Sequence, residues 1–235
     1  MLASKRLHAK GSQRRKVLRL LYLTLAPLRE IIFLHLAGIS FVSLTSNKFS
    51  AMPKLYMLLI GATPPERNIE QHDVFFGIGE TIKDLIPEVE AFWPGNTKLH
   101  FDAWREITSV NGYQVEVVLK NESKQNGPFK LFFINLGGYK QNEFEEFHYK
   151  MVIAAADKAA AVNISKQTAF FKHTGFKGAT AHIDDKFGVD VDDVYEITDI
   201  LPASAKEKYS LLVSLANSLI EDEIHLGYFK LSMFQ

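Results

Sequence analysis

Two apolar runs of strand length stand 76 residues apart in this chain. Lys54-Leu-Tyr-Met-Leu-Leu-Ile-Gly61 reappears as Lys130-Leu-Phe-Phe-Ile-Asn-Leu-Gly137. Continuous apolar runs of this length predict strands buried on both faces. After the first, Thr63-Pro64-Pro65 makes a stiff connection, and Asn68 with Gln71 three positions on forms a capping-box pattern. The three-and-four spacing of Phe75, Ile78, Ile82 and Leu85 predicts a helix ending near Ile86, because Pro87 disfavours helix in the residue before it. Gly77 and Gly79 are poor helix formers and point to close approach of another backbone or a ligand. From Lys98 to Arg105 apolar and polar residues alternate, Asn111-Gly112 marks a turn, and Tyr113 to Leu119 alternates again. The first unit thus reads strand, helix, strand, strand.

The second unit follows a polar linker, Glu122 to Pro128. It predicts a strand from Lys130 to Gly138 and a helix from Glu143 to about Phe171 with an alanine-rich middle. Thr180-Ala-His-Ile-Asp184 parallels Lys98-Leu-His-Phe-Asp102, and Val194 to Ile200 predicts a strand. Beyond Pro202, the spacing of Tyr209, Leu212, Leu215 and Leu219 predicts an amphipathic helix over 205–221, with a final strand from His225 to Met233. The expected fold class is α+β: two tandem pseudo-symmetric β-α-β-β repeats, 52–121 and 129–201, with a C-terminal helix and strand in 202–235. The repeats should pack together, since neither buries its sheet face alone.

Charge separates the first 51 residues from the rest. They hold nine Lys/Arg and one acid, Glu30, so of the 27 bases and 27 acids the remainder keeps 18 and 26. An acidic body argues against a nucleic-acid partner, which needs clustered cations. Two apolar runs, Leu20–Leu28 and Ile31–Leu44, flank Arg29-Glu30, and neither reaches the roughly 20 residues of a membrane helix. Residues 1–51 are therefore expected to be disordered or to lie outside the true fold, with Met52 as the working start. The alternative is an export signal or membrane anchor, which would change a cytoplasmic location to an exported or tethered one. The absence of cysteine excludes disulfides, thiolate metal sites and cysteine nucleophiles.

The candidate chemistry follows the spacing of histidines and acids. Eleven residues past Gly61 and Gly137 stand His72 and His148, each with a glutamate two positions earlier, Glu70 and Glu146. On a helix such a pair chelates poorly, because positions two apart do not face each other. His100 with Asp102, and His182 with Asp184, are better placed: two apart on a strand, they share a face, and a carboxylate beside an imidazole raises its basicity. Arg67 at a helix N-terminus and Asp73 complete the candidate set. The loop at Ala62–Asn68 lacks the glycines of a phosphate loop, and no zincin, kinase or nucleophile-elbow motif is present. No residue is assigned as a metal ligand, and no cofactor is indicated.

Lys54-Leu-Tyr through Glu70-Gln-His-Asp-Val-Phe-Phe-Gly-Ile-Gly79, with Lys98-Leu-His-Phe-Asp-Ala-Trp-Arg105, resembles a bacterial family, domain of unknown function 1543. The resemblance covers about residues 53 to 200 and not the basic arm. It implies a soluble bacterial protein and supplies no reaction. In the second copy Tyr149 replaces Asp73 and Glu143 replaces Arg67, so a site would not be chemically symmetric. Two functions stay open: a non-catalytic protein holding a small polar ligand or protein partner between the copies, or a metal-assisted or acid/base enzyme of hydrolase type. The second would use His72, His148, His100 and Asp102.

Overall fold

The computed structural model describes residues 52–93, 95, 98–121, 127–140, 142–167, 189–216 and 220–235. These fall within one unit, Lys48–Gln235. The expectations for residues 1–51, and for His182 and Asp184, lie outside the described residues.

Strand β1 (Lys54–Ala62) forms where the first apolar run predicts it, and β2 (Gln71–Gly79) pairs antiparallel beside it. The expected helix over β2 is thereby corrected. Val74, Phe76 and Ile78 enter one core and Phe75 another, so the segment is buried on both faces and shows no polar alternation. Its glycines have the expected consequence in a different setting. A Cβ on Gly77 would come within 2.8 Å of the Phe75 ring and 2.9 Å of Leu85. The Ile82 and Leu85 part of the helical stripe is real. It belongs to a 3₁₀ turn (Ile82–Leu85) running into α1 (Ile86–Phe92), which covers the outer face. Pro87 sits in the first turn of α1, where its missing N–H leaves no bond unmade, so it opens a helix instead of ending one.

β3 (His100–Ile107) and β5 (Tyr113–Leu119) match the alternating stretches, with the two-residue β4 (Ser109–Val110) between them. Val110 pairs with Tyr113 across a two-residue turn, and both Asn111 (φ 35°) and Gly112 (φ 100°) have the positive φ such a turn requires. The second apolar run is β6 (Lys130–Tyr139). The long helix expected from Glu143 is instead β7 (Glu146–Ala155) followed by α2 (Lys158–Ser165). Asp157 caps α2 by accepting the Ala160 N–H at 2.8 Å. β8 (Val189–Glu196) precedes a one-turn helix, Ile197–Ile200, where a strand was expected. The helix expected over 205–221 is confined to Ala203–Lys208. Tyr209, Leu211 and Val213 alternate toward the core instead, making β9 (Tyr209–Leu215). β10 (His225–Lys230) is the expected last strand, shortened by a 3₁₀ turn at Leu231–Met233.

The protein is therefore mixed α and β, with antiparallel strands in three sheets: first β10-β3-β1-β2, second β7-β6-β8 and third β4-β5-β9. Among the described residues each half opens strand, strand, helix, strand, with β4 and β5 following in the first, which corrects the expected β-α-β-β. Tyr56, Leu58 and Ile60 pack under α1, while Phe132, Ile134 and Leu136 pack beside Ala161 of α2. The opposite faces meet: Leu55, Val74 and Phe76 share one core with Leu131, Phe133 and Ala154, and Val115, Val117 and Val213 of the third sheet join it. Ladder details run in parallel too. The register slips between Leu59 and Ile60 against β3, and between Asn135 and Leu136 against β8. Lys54 pairs with Glu106 at 2.8 Å, as Lys130 does with Glu196.

Tyr56 gives the fold a pH dependence. It is 3% exposed and its hydroxyl donates to the Glu80 carbonyl at 3.3 Å. Burial, then Glu106, then Asp84 push its pKa up to about 12. An unfolded tyrosine ionises near pH 10, so the unfolded chain releases this proton first. The contribution is complete below pH ~10 and is lost as pH rises toward about 12. Between pH 9 and 11.5 the wild-type chain should lose up to about 2 kcal/mol more stability than Tyr56→Phe in urea unfolding. Equal losses in the two proteins would contradict this.

Candidate functional site

Four of the candidate residues meet over Gly61. In the β1–β2 ladder His72 stands opposite Gly61, and from the other side β3 places His100 opposite the same glycine. Without a side chain at Gly61, imidazoles from both flanking strands occupy the space above it. A Cβ there would fall 2.5 Å from His100 Nε2 and 2.6 Å from Asp102 Oδ2. Asp102 arrives through the bulge. Phe101 pairs with Ile60 and Ala103 with Leu59, so Asp102 is the extra residue of β3. A bulge re-aims a side chain, and here Phe101 keeps its place in the outer core while Asp102 turns to the histidines. Glu70 comes just before β2. The Glu-x-His spacing, poor on a helix, suits extended backbone.

Each carboxylate spans both imidazoles. His72 Nε2 lies 3.0 Å from Asp102 Oδ2 and 3.7 Å from Glu70 Oε2; His100 Nε2 lies 2.9 Å from Glu70 Oε1 and 3.3 Å from Asp102 Oδ1. These are not hydrogen bonds. His100 Nε2 and Asp102 Oδ2 are buried without a hydrogen-bond partner, because the facing atoms lie off the line an N–H would take, and 3.7 Å is too long. Ligand atoms of Glu70, His72 and Asp102 all lie within 4.8 Å of one another. Two nitrogen or oxygen ligands on a tetrahedral ion at 2.0–2.1 Å stand roughly 3.3 Å apart, and the four contacts bracket that spacing. His100 is 3% exposed, with the Tyr228 ring 4.2 Å away between centroids. Glu70 and His72 face solvent. The cluster is closed beneath and open above.

The other candidates lie elsewhere. Asp73 accepts the Val74 N–H at 2.7 Å. Arg67 ends an exposed turn, its N–H bonded to the Pro64 carbonyl at 3.3 Å. Glu146 and His148 stand together in the second sheet, 3.8 Å apart, where His148 Nδ1 is 3.2 Å from the Asn135 amide. Asn135 also reaches Asp193 at 3.4 Å.

The sequence reading missed Gly61 as the floor of the cluster and missed the pair Arg105 and Lys150. Both cations line a cleft of about 380 Å³ between the first sheet and β7. Burial lowers the pKa of each below its ordinary value. Asp222 and Tyr149 oppose that effect for Arg105, and Asp73 opposes it for Lys150. Arg105 was visible as the end of an alternating strand, yet its position inward could not be read without the bulge.

Residues 67–117 match the model of the family described as Domain of Unknown Function (DUF1543), in agreement with the resemblance read from the sequence. The matched stretch contains all four residues of the cluster. Among solved structures, the chain is similar to a protein Il1583 from Idiomarina loihiensis, at 20% identity and a TM-score of 0.46, over 76% of this chain and 97% of that one. No curated protein matches. Among the described residues no helix is long and apolar enough to cross a membrane.

Proposed function

We propose that this chain is a metal-binding protein, in which Glu70, His72, His100 and Asp102 hold one divalent transition-metal ion and present it to a small polar ligand. The observation that carries this reading is the buried His100 Nε2, which meets two carboxylate oxygens and bonds to neither. A buried polar atom left unmatched costs about 1–3 kcal/mol, and an ion drawn in beside His100, where ligand atoms of Glu70, His72 and Asp102 already lie within 4.8 Å of one another, would give that nitrogen a partner. Imidazole and carboxylate ligands suit Zn²⁺, Mn²⁺ or Fe²⁺ and not soft monovalent copper. The exposed edge at Glu70 and His72 favours a second reading, metal-assisted hydrolysis, because it leaves a side of the ion free for water.

The parallel registers, cores and ion pairs support one folding module used twice. On that reading Glu146 and His148 hold the positions of Glu70 and His72. Asp190 then holds the ladder position of His100, and Asp192 is the bulge residue, as Asp102 is. The second copy thus has one imidazole fewer, and the stronger site is the first.

Chelator-stripped protein titrated calorimetrically with Zn²⁺ and Mn²⁺ tests the proposal. One ion should bind per chain, and His100→Ala should lower affinity at least about tenfold while the second sheet is untouched. A wild-type chain that takes up no ion removes the reading. Hydrolysis of activated esters or phosphoesters that rises with metal and disappears in His72→Ala would select the second reading over the first.

A further inference from the structure

The cleft beside the cluster has a cause in the sequence. Phe76 and Phe133 fill the space between the facing sheets with rings 5.4 Å apart. At the offset of 76 residues their counterparts are Val152 and Met57, both smaller and both lining the cleft. Where one pair of positions is filled by two aromatic rings, the corresponding pair leaves about 380 Å³, within the roughly 300–1,000 Å³ of ligand pockets.

The walls are mixed in character. Leu59, Val74, Val152 and Trp104 supply apolar surface, and Arg105 and Lys150 supply positive charge. Arg105 donates only to the Met57 thioether, at 3.6 Å, and neither cation has an ion-pair partner among the described residues. Half-buried cations are expensive to leave unpaired, and a planar guanidinium matches a carboxylate in particular. The cleft also adjoins the cluster. Leu59–Val74 is the next pair facing the same way after Gly61–His72 in the ladder, and Ala103 continues that row on β3.

We propose that this cleft binds a small organic carboxylate, its apolar body against Leu59, Val74, Val152 and Trp104 and its acid group between Arg105 and Lys150. Such a ligand would lie with its far end toward Glu70 and His72. The proposal names what the neighbourhood of the cluster accepts, but it stands on different residues and does not require the ion.

The test is calorimetry on the full chain in excess chelator, which separates this proposal from the metal reading. The probes are phenylacetate and hexanoate, against 2-phenylethanol, hexanol and inorganic phosphate. At least one acid should bind saturably and at least tenfold more tightly than its alcohol and than phosphate. Arg105→Gln should weaken that acid at least tenfold, and Lys150→Met should weaken it by less. Equal binding of acid and alcohol, tighter binding of phosphate, no saturable acid binding, or unchanged affinity in Arg105→Gln would each overturn the proposal. Should Arg105→Gln fail to fold, the acid–alcohol comparison on the wild-type chain decides alone.

Discussion

Gly61→Ala is expected to abolish stoichiometric metal binding while leaving the fold nearly as stable as before. The added Cβ would lie 2.5 Å from His100 Nε2 and 2.6 Å from Asp102 Oδ2, closer than real Cβ contacts occur. The atoms that must give way are side-chain ends, so the sheet can keep its register while the two ligand atoms are pushed from their places. Alanine is no worse than glycine in a strand interior, and the melting temperature should stay within a few degrees. Affinity for Zn²⁺ should fall by about a hundredfold or more, since disturbing even the supporting shell of a metal site costs 10–100-fold. Gly77→Ala is the matched control. Its Cβ would meet the Phe75 ring at 2.8 Å and Leu85 at 2.9 Å, under α1 and away from the cluster. That variant should melt earlier and still take up metal. A Gly61→Ala chain that binds Zn²⁺ like wild type would show that the space above this glycine is not where the ion sits.

The residues of this cluster were all legible in the sequence, and their convergence was not. Glu70, His72, His100 and Asp102 stood out by spacing. Reading Gln71–Gly79 as helix then placed His72 on the wrong kind of surface. That error has a physical source. A strand buried on both faces loses its alternation, and Phe75, Ile78, Ile82 and Leu85 imitated a helical stripe although Ile78 belongs to one core and the others to a second. The same misreading recurred at β7, where Ala154 and Ala155 close a strand instead of opening the alanine-rich middle of a helix. β1 and β6 were readable because runs of six and four consecutive apolar residues leave little choice. β5 was readable because one of its faces is more exposed, and β3 because its apolar and polar residues alternate in the sequence. The bulge that frees Asp102 has no local sequence signature. It is set by which residues of β1 and β3 can pack at once, so neither Arg67 nor Asp73 could be separated from the true cluster beforehand.

Phe76→Ala should be the most damaging single change to stability, at about 3–5 kcal/mol. Phe76 is 1% exposed, sits at the centre of β2 and meets Phe133 of β6 edge-on at 5.4 Å. It therefore bridges two sheets that, among the described residues, are not hydrogen-bonded to each other, and removing it leaves a hole that both rigid faces prevent from closing. Truncating Phe133 alone should cost a similar amount. The double variant should cost less than the sum, by about 0.5–1.5 kcal/mol, because the ring–ring contact is lost only once. Met57→Ala is the telling comparison. Its side chain borders the cleft, so the neighbouring space is already open and the loss should be near the low end for a buried methionine, about 2 kcal/mol. Urea unfolding measures all four. If Phe76→Ala cost no more than Met57→Ala, the aromatic pair would not be what holds the sheets apart at the width of the cleft. Tight packing at Phe76–Phe133 and an opening at Met57–Val152 would then need separate explanations.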